Sequence, residues 1–121
     1  MQRTWKGLLE RLHTEVVPRG AVAVLDPDGL VIAGCAEGVL DEAVAVHAAE
    51  SVRLAEKTAR REAWGGLREQ SLETDVWRLL WVRVDSDLGL LLYAPREEAT
   101  PRGRWRHAAR LAAADLAALL D

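Results

Sequence analysis

Four residues constrain this chain more than any others. Asp26-Pro27-Asp28-Gly29 stands between two apolar runs, AVAVL (Ala21 to Leu25) and LVIAGC (Leu30 to Cys35). Proline presets φ, an aspartate side chain bonds its own backbone, and glycine accepts positive φ, so the stretch turns the chain back on itself. Two β-prone runs flanking such a turn specify a hairpin. Both runs are almost wholly apolar. That predicts strands covered on both faces, inside a sheet with helices on its two sides.

The flanking segments change period. Trp5, Leu8, Leu9, Leu12 and Val16 recur at helical spacing in a segment from Gln2 to Glu15, which Pro18 and Gly20 end. Asp41 can cap a long helix running to about Ala63, with Glu42 in its first turn, Arg60 and Arg61 in its last and Trp64-Gly65-Gly66 beyond it. Three strand-like runs follow: Leu67 to Thr74, Val76 to Val84 and Leu88 to Ala94. The short polar link Asp85-Ser86-Asp87 makes a hairpin of the last two. Arg96 to Pro101 is a charged loop. From Gly103 to Leu120, Trp105, Ala108, Ala109, Ala112, Leu116, Leu119 and Leu120 share one face of a final helix. The order is α-β-β-α-β-β-β-α. We expect residues 1–121 to form one domain, an α/β sandwich on a single five-stranded, antiparallel-rich sheet.

Composition narrows the function. The formal charge is −3, which gives no electrostatic reason to expect nucleic acid as the main partner. No run approaches the roughly 20 apolar residues of a membrane span, and the start MQRTWKGLLERLH lacks a signal-peptide pattern. With Cys35 as the only cysteine, a reducing, cytoplasmic setting is expected. Neither a GxxxxGK loop nor a GxGxxG turn occurs, so the chain does not read as a nucleotide hydrolase. His13, His47 and His107 fall on different helices without ligand spacing, and Cys35 reads as a packing residue. We expect no cofactor, no metal and no catalytic centre.

Three features bear on binding. Arg102, Arg104, Arg106, His107 and Arg110 surround Trp105. They read as a helix start whose arginine stems lie over the fold while Trp105 enters the core; the alternative is an anion or single-stranded nucleic-acid footprint. On the long helix, Val44, Ala45, Ala48, Ala49, Val52, Ala55, Ala59 and Ala63 form a face small enough to lie close to a sheet. Ala43, Val46, His47, Glu50, Leu54, Lys57 and Arg61 lie opposite. Val46 and Leu54 are apolar there, inside a charged rim, as in a contact surface. The third strand, LREQSLET, is too polar for a sheet centre and belongs at an edge. Pairing it with its copy through Leu67, Glu69, Ser71 and Glu73 would close that edge with an isologous interface.

The hairpin "AVAVLDPDGLVIAG" followed by the helix "DEAVAVHAAESVRLAEKTARR" resembles the roadblock/dynein light chain family, in particular its small bacterial members of the mutual-gliding-protein-B kind. The likeness runs from Trp5 to Leu120. Family members often open the last helix with a Gly-Leu-Leu-Arg-like stretch, where this chain reads Pro101-Arg102-Gly103-Arg104-Trp105-Arg106. The resemblance implies a long second helix on one face of the sheet and the terminal helices on the other. It implies dimers built through that helix and the third strand. It also implies a non-catalytic regulator of a Ras-like small GTPase, one that raises GTP hydrolysis by setting the switch regions and donates no arginine finger. The rival expectation is a structural adaptor of the dynein light chain type, without effect on nucleotide turnover. A small-molecule sensor ranks behind both, because the alanine-rich face leaves little room for a pocket.

Overall fold

The computed structural model describes residues 4–38, 40–97 and 100–120. Gln2 and part of the Arg96–Pro101 loop fall outside them. The elements are α1 (Trp5–Val16), β1 (Ala21–Leu25), β2 (Val31–Ala36), α2 (Glu42–Arg61), β3 (Glu69–Glu73), β4 (Trp77–Arg83), β5 (Gly89–Pro95) and α3 (Arg102–Ala118). The five strands form one antiparallel sheet in the order β2-β1-β5-β4-β3. The expected class and element order are both present.

The first hairpin closes as its residues dictate. The Asp26 carboxylate accepts from the backbone N–H groups of Asp28 and Leu30, and Gly29 N–H donates to the Asp26 carbonyl. Gly29 then takes φ +87°, a conformation that costs other residues dearly. A side chain there would also have no space. A Cβ would stand 2.8 Å from Val46 Cα and 2.9 Å from the Ala45 carbonyl oxygen, both on α2.

Two cores sandwich the sheet. On one face Leu9, Leu12 and Val16 of α1 and Trp105, Ala109, Ala113 and Leu116 of α3 pack over Val22, Val24, Leu80, Val82, Leu90 and Leu92. On the other, Ala45, Ala48 and Val52 of α2 pack over Ala21, Ala23, Leu25, Trp81, Leu91 and Tyr93. Trp105 is therefore a core residue, as the plainer reading of the basic stretch held. The Asp41 carboxylate caps α2 by accepting from Ala43 N–H. Burial pushes the Tyr93 hydroxyl's pKa up, against a smaller lowering from the Asp41 N–H that it accepts.

Several expectations need correcting. β2 is an edge strand and not an interior one, because β1 takes β5 as its other neighbour. Leu30, just before it, and Ile32 within it are accordingly exposed. Leu119 and Leu120 are exposed beyond the end of α3 instead of joining its buried face. Ala63 does not extend the packing face of α2, because the helix ends at Arg61 and Ala63 is exposed.

Ala63 instead occupies the left-handed region at φ +57°, while Trp64 N–H donates to the Ala59 carbonyl to finish the helix. Glycine normally fills this position, and alanine costs about 1 kcal/mol more there. Ala63→Gly is expected to raise stability by about 0.5–1 kcal/mol in urea unfolding. A loss of stability would show that Ala63 is not strained.

Candidate interaction surface

The outer face of α2 is open. Ala43, Val46, His47, Glu50, Leu54, Lys57 and Arg61 are all exposed, as the helical spacing predicts. Val46 is 40% exposed and Leu54 68%. Around them stand polar and charged pairs: His47 Nδ1 lies 3.8 Å from Glu50, and Arg60 and Arg61 lie 3.8 and 3.7 Å from Glu56 and Glu62. Such pairs stabilise a helix little, and they leave the exposed heads of His47, Glu50, Arg60 and Arg61 available to a partner.

β3 is the sheet edge beside this face. Arg83 N–H donates to the Arg68 carbonyl and Thr74 N–H to the Trp77 carbonyl, so the even-numbered residues of β3 bond inward to β4. By antiparallel alternation the backbone groups of Glu69, Ser71 and Glu73 point away from the sheet. These residues thus present main chain to the open edge, while their side chains turn to the α3 face.

The side chains divide the expected strand set. Glu69 accepts from Arg110 through two bonds, of 3.1 and 2.8 Å, and from Arg106 at 2.8 Å. Glu73 pairs with Arg102 and, at 3.4 Å, with Arg78. Arg102, Arg106 and Arg110, four residues apart on α3, form one stripe along the edge strand, which accounts for most of the basic stretch. Arg78 also stacks 5.2 Å from the Trp105 ring centroid and donates to the Thr100 carbonyl at 2.7 Å. Glu69, Glu73, Arg78, Arg102, Trp105 and Arg106 line a cleft of about 310 Å³ between β3 and the start of α3. The Arg110 hydrogen bond, ahead of the opposing cost of burial and the further charge of Arg106, holds the Glu69 carboxyl below its ordinary pKa of 4.5, and the same bond raises the pKa of Arg110. Leu67 belongs elsewhere, packing half-buried into the α2-side core.

On the α2 face, β3 contributes Gln70 and Leu72, which the sequence had not singled out. Ser51 Oγ donates to Gln70 Oε1 at 3.1 Å, and Leu72, 52% exposed, borders a small depression with His47, Ala48, Leu79 and Trp81. Trp77, partly exposed, meets Tyr93 edge-on at 6.0 Å. An alternating strand at an edge predicts that one set of side chains faces each way. Which set faces α2 depends on register, a long-range property.

Arg83 fixes the relation of α2 to this edge. Its guanidinium donates to the carbonyls of Leu67, Asp85 and Ser86 and pairs with Glu56 of α2. It also stacks 5.1 Å from the centroid of Trp81, whose indole would collide with any side chain at Gly89. One cation thus ties β3, the β4–β5 turn and α2 together. At the middle of the helix, Arg53 Nη1 bonds Asp28 of the hairpin turn at 3.2 Å.

Residues 8–94 match the Roadblock/LC7 domain model. The chain belongs to the Roadblock/LC7 domain family. No curated protein matches by sequence. Among solved structures, Myxococcus xanthus MglB superposes with a TM-score of 0.81 at 18% identity, over 96% of this chain and 94% of that one. The gliding protein MglB of Thermus thermophilus gives 0.80 at 16%, over 98% and 93%. A Roadblock/LC7 domain from Streptomyces avermitilis gives 0.80 at 20%, over 95% and 96%. At these identities the likeness is one of fold.

The arginine stripe has a pH signature. A carboxylate whose folded pKa is lowered contributes stability that is present above its unfolded value and lost as pH falls through the folded one. Glu69→Gln is therefore expected to lower the urea midpoint at pH 7, and the gap from the unaltered protein should close as pH drops below 4.5. A gap that persisted undiminished at about pH 2 would show that the carboxylate charge is not what holds the stripe.

Proposed function

We propose that this protein is a dimeric, non-catalytic regulator of a Ras-like small GTPase. The observation that carries the reading is the open face of α2, with Val46 and Leu54 exposed in a charged rim, next to the unpaired edge of β3. Two copies related by a two-fold axis can join β3 to β3 and set their α2 helices side by side. Ion pairing of Glu69 and Glu73 with Arg78 of β4 and the α3 arginines removes the carboxylate–carboxylate repulsion that joining β3 to β3 would meet. One solved MglB is described in a tetrameric arrangement, which is self-assembly on this fold. The GTPase as partner follows from family resemblance, and it binds the face composed of the paired α2 helices and their rim. Cytoplasmic action on a soluble partner fits a chain in which no described helix is long and apolar enough to cross a membrane.

A stable interface of this kind buries on the order of 1,200–2,000 Å² in total. Leu54→Asp places a carboxylate in it at a cost of several kcal/mol, whereas on a solvated helix the same change costs at most about 0.5 kcal/mol. Light scattering is expected to give a dimer for the unaltered protein and a monomer of unchanged circular dichroism for the variant. A monomer in both cases would remove the dimer from the reading.

The mechanism acts through the partner's switch regions. An arginine finger supplied in trans is worth roughly 10³–10⁵ in rate. Arg53, Arg60 and Arg61, the arginines of α2, sit on a regular helix, and Arg53 is engaged with Asp28. Arg53→Ala, Arg60→Ala and Arg61→Ala are each expected to weaken binding modestly, through lost steering and rim contacts. At saturation each should still raise GTP hydrolysis to near the unaltered level, measured with the purified partner. Loss of stimulation with binding intact would identify a finger. Binding without stimulation by the unaltered protein would make it an adaptor.

A further inference from the structure

The sheet has two edges, and they differ in charge. β3 carries Glu69 and Glu73, each covered by arginines. β2 is the other edge. Glu37 N–H donates to the Gly20 carbonyl, and Val22 pairs with Cys35 and Val24 with Ala33. By the same alternation, the backbone groups of Gly34 and Ala36 point outward, with no strand to meet them among the described residues, and Ile32 is the extra residue of a bulge where the register shifts between Val24 and Leu25. Leu30 is 65% exposed and Ile32 50%, so the edge is apolar as well as open. Natural edges are usually blunted by a charge, a proline, a bulge or a covering segment. β2 carries no charged residue or proline, and its one bulge, at Ile32, leaves the stretch from Ala33 to Ala36 regular.

Its charges stand at both ends instead. Asp26 and Asp28 lie in the turn before it. Glu37 follows it, and Asp41 and Glu42 open α2 at the same end, since Asp41 N–H donates to the Tyr93 hydroxyl and Tyr93 is level with Ala21 and Ala36 in the register. Five carboxylates thus bracket six residues of strand. The cations on the adjoining chain are Arg19, in the turn before β1, and Arg53, bonded to Asp28. α1 packs against β2 and is balanced, with Lys6 and Arg11 against Glu10 and Glu15.

We propose that β2 is a docking edge for an extended segment of another protein, apolar in its middle and lysine- or arginine-rich at both ends. Main-chain bonds to Gly34 and Ala36 would supply affinity, the exposed Ile32 side chain an apolar contact beside them, and the acidic ends would select the partner. A second copy of this chain does not fit. Two-fold pairing of β2 with itself is antiparallel, and it would set the Asp26–Asp28 end of one copy against the Glu37–Glu42 end of the other. At the β3 edge the two carboxylates are each paired with arginines, so no carboxylate is set bare against another. One sheet therefore offers an edge for itself and an edge for a basic-flanked guest, so assembly and guest binding are independent.

The test uses the whole protein and two synthetic peptides of about nine residues, each alternating valine and threonine, one flanked by lysine and arginine pairs and one by glutamate pairs. Binding is followed by fluorescence anisotropy and by amide chemical shifts. The basic-flanked peptide is expected to bind at least about tenfold tighter, with its advantage shrinking at high salt and its shifts centred on Ile32, Gly34 and Ala36. Ile32→Lys should weaken it about tenfold or more while leaving the light-scattering mass unchanged. Equal affinity for the two peptides, no binding of either, or shifts centred on β3 would overturn the proposal. So would a fall in assembly mass on Ile32→Lys, which would show that β2 is occupied by a second copy.

Discussion

The seating of α2 on the sheet governs the rest of this molecule. Its inner face is Ala45, Ala48, Ala49, Val52 and Ala59, all buried, and small enough for the helix backbone to come down onto the hairpin turn. Gly29 is the other half of that contact, since no side chain fits between it and Val46. A large residue on either side would lift the helix and cost packing along its length. The close approach has a functional corollary. A helix that satisfies its inner face with alanines has spent little apolar bulk there, and the larger side chains of Val46 and Leu54 are left pointing outward.

Charge then fixes the geometry that packing permits. Arg83 and Glu56 hold the C-terminal half of α2 to β4 and to both flanking turns, and Arg53 with Asp28 holds its middle to the hairpin. Arg83 is a partly buried, multiply bonded arginine, whose planar fork lysine does not replace, whereas Arg53 is exposed and makes one bond. On the opposite face, Arg102, Arg106 and Arg110 hold the edge strand to α3. The two faces of β3 are thus anchored separately, and its outward main chain is presented at a fixed angle to the outer face of α2.

What the sequence disclosed follows the range of each interaction. The hairpin turn, the Asp41 cap, the exposed set on α2 and the burial of Trp105 are written in neighbours a few residues apart, and all were legible. The edge position of β2 was not. Its composition matches that of β1, and only the long-range choice of β5 as neighbour to β1 separates them. Arg83 looked like any charge in an alternating strand, because its partners lie up to 27 residues away. The basic stretch was visible as a pattern, but its acceptors Glu69 and Glu73 lie across the sheet edge. Gln70 and Leu72 were missed because which side of β3 meets α2 is a matter of register. Ala63 was misplaced because a non-glycine residue in a left-handed helix terminus leaves no trace in composition.

The account stands on β3 being the edge through which two copies meet, and amide hydrogen exchange reads that directly. In the proposed dimer, the outward N–H groups of Glu69, Ser71 and Glu73 would be bonded to the second copy. They should exchange slowly at high protein concentration and quicken together on dilution, while the inward Gln70 and Leu72 N–H groups keep their protection. Rapid exchange at Glu69, Ser71 and Glu73 under conditions where light scattering reports a dimer would contradict the account and place the interface elsewhere.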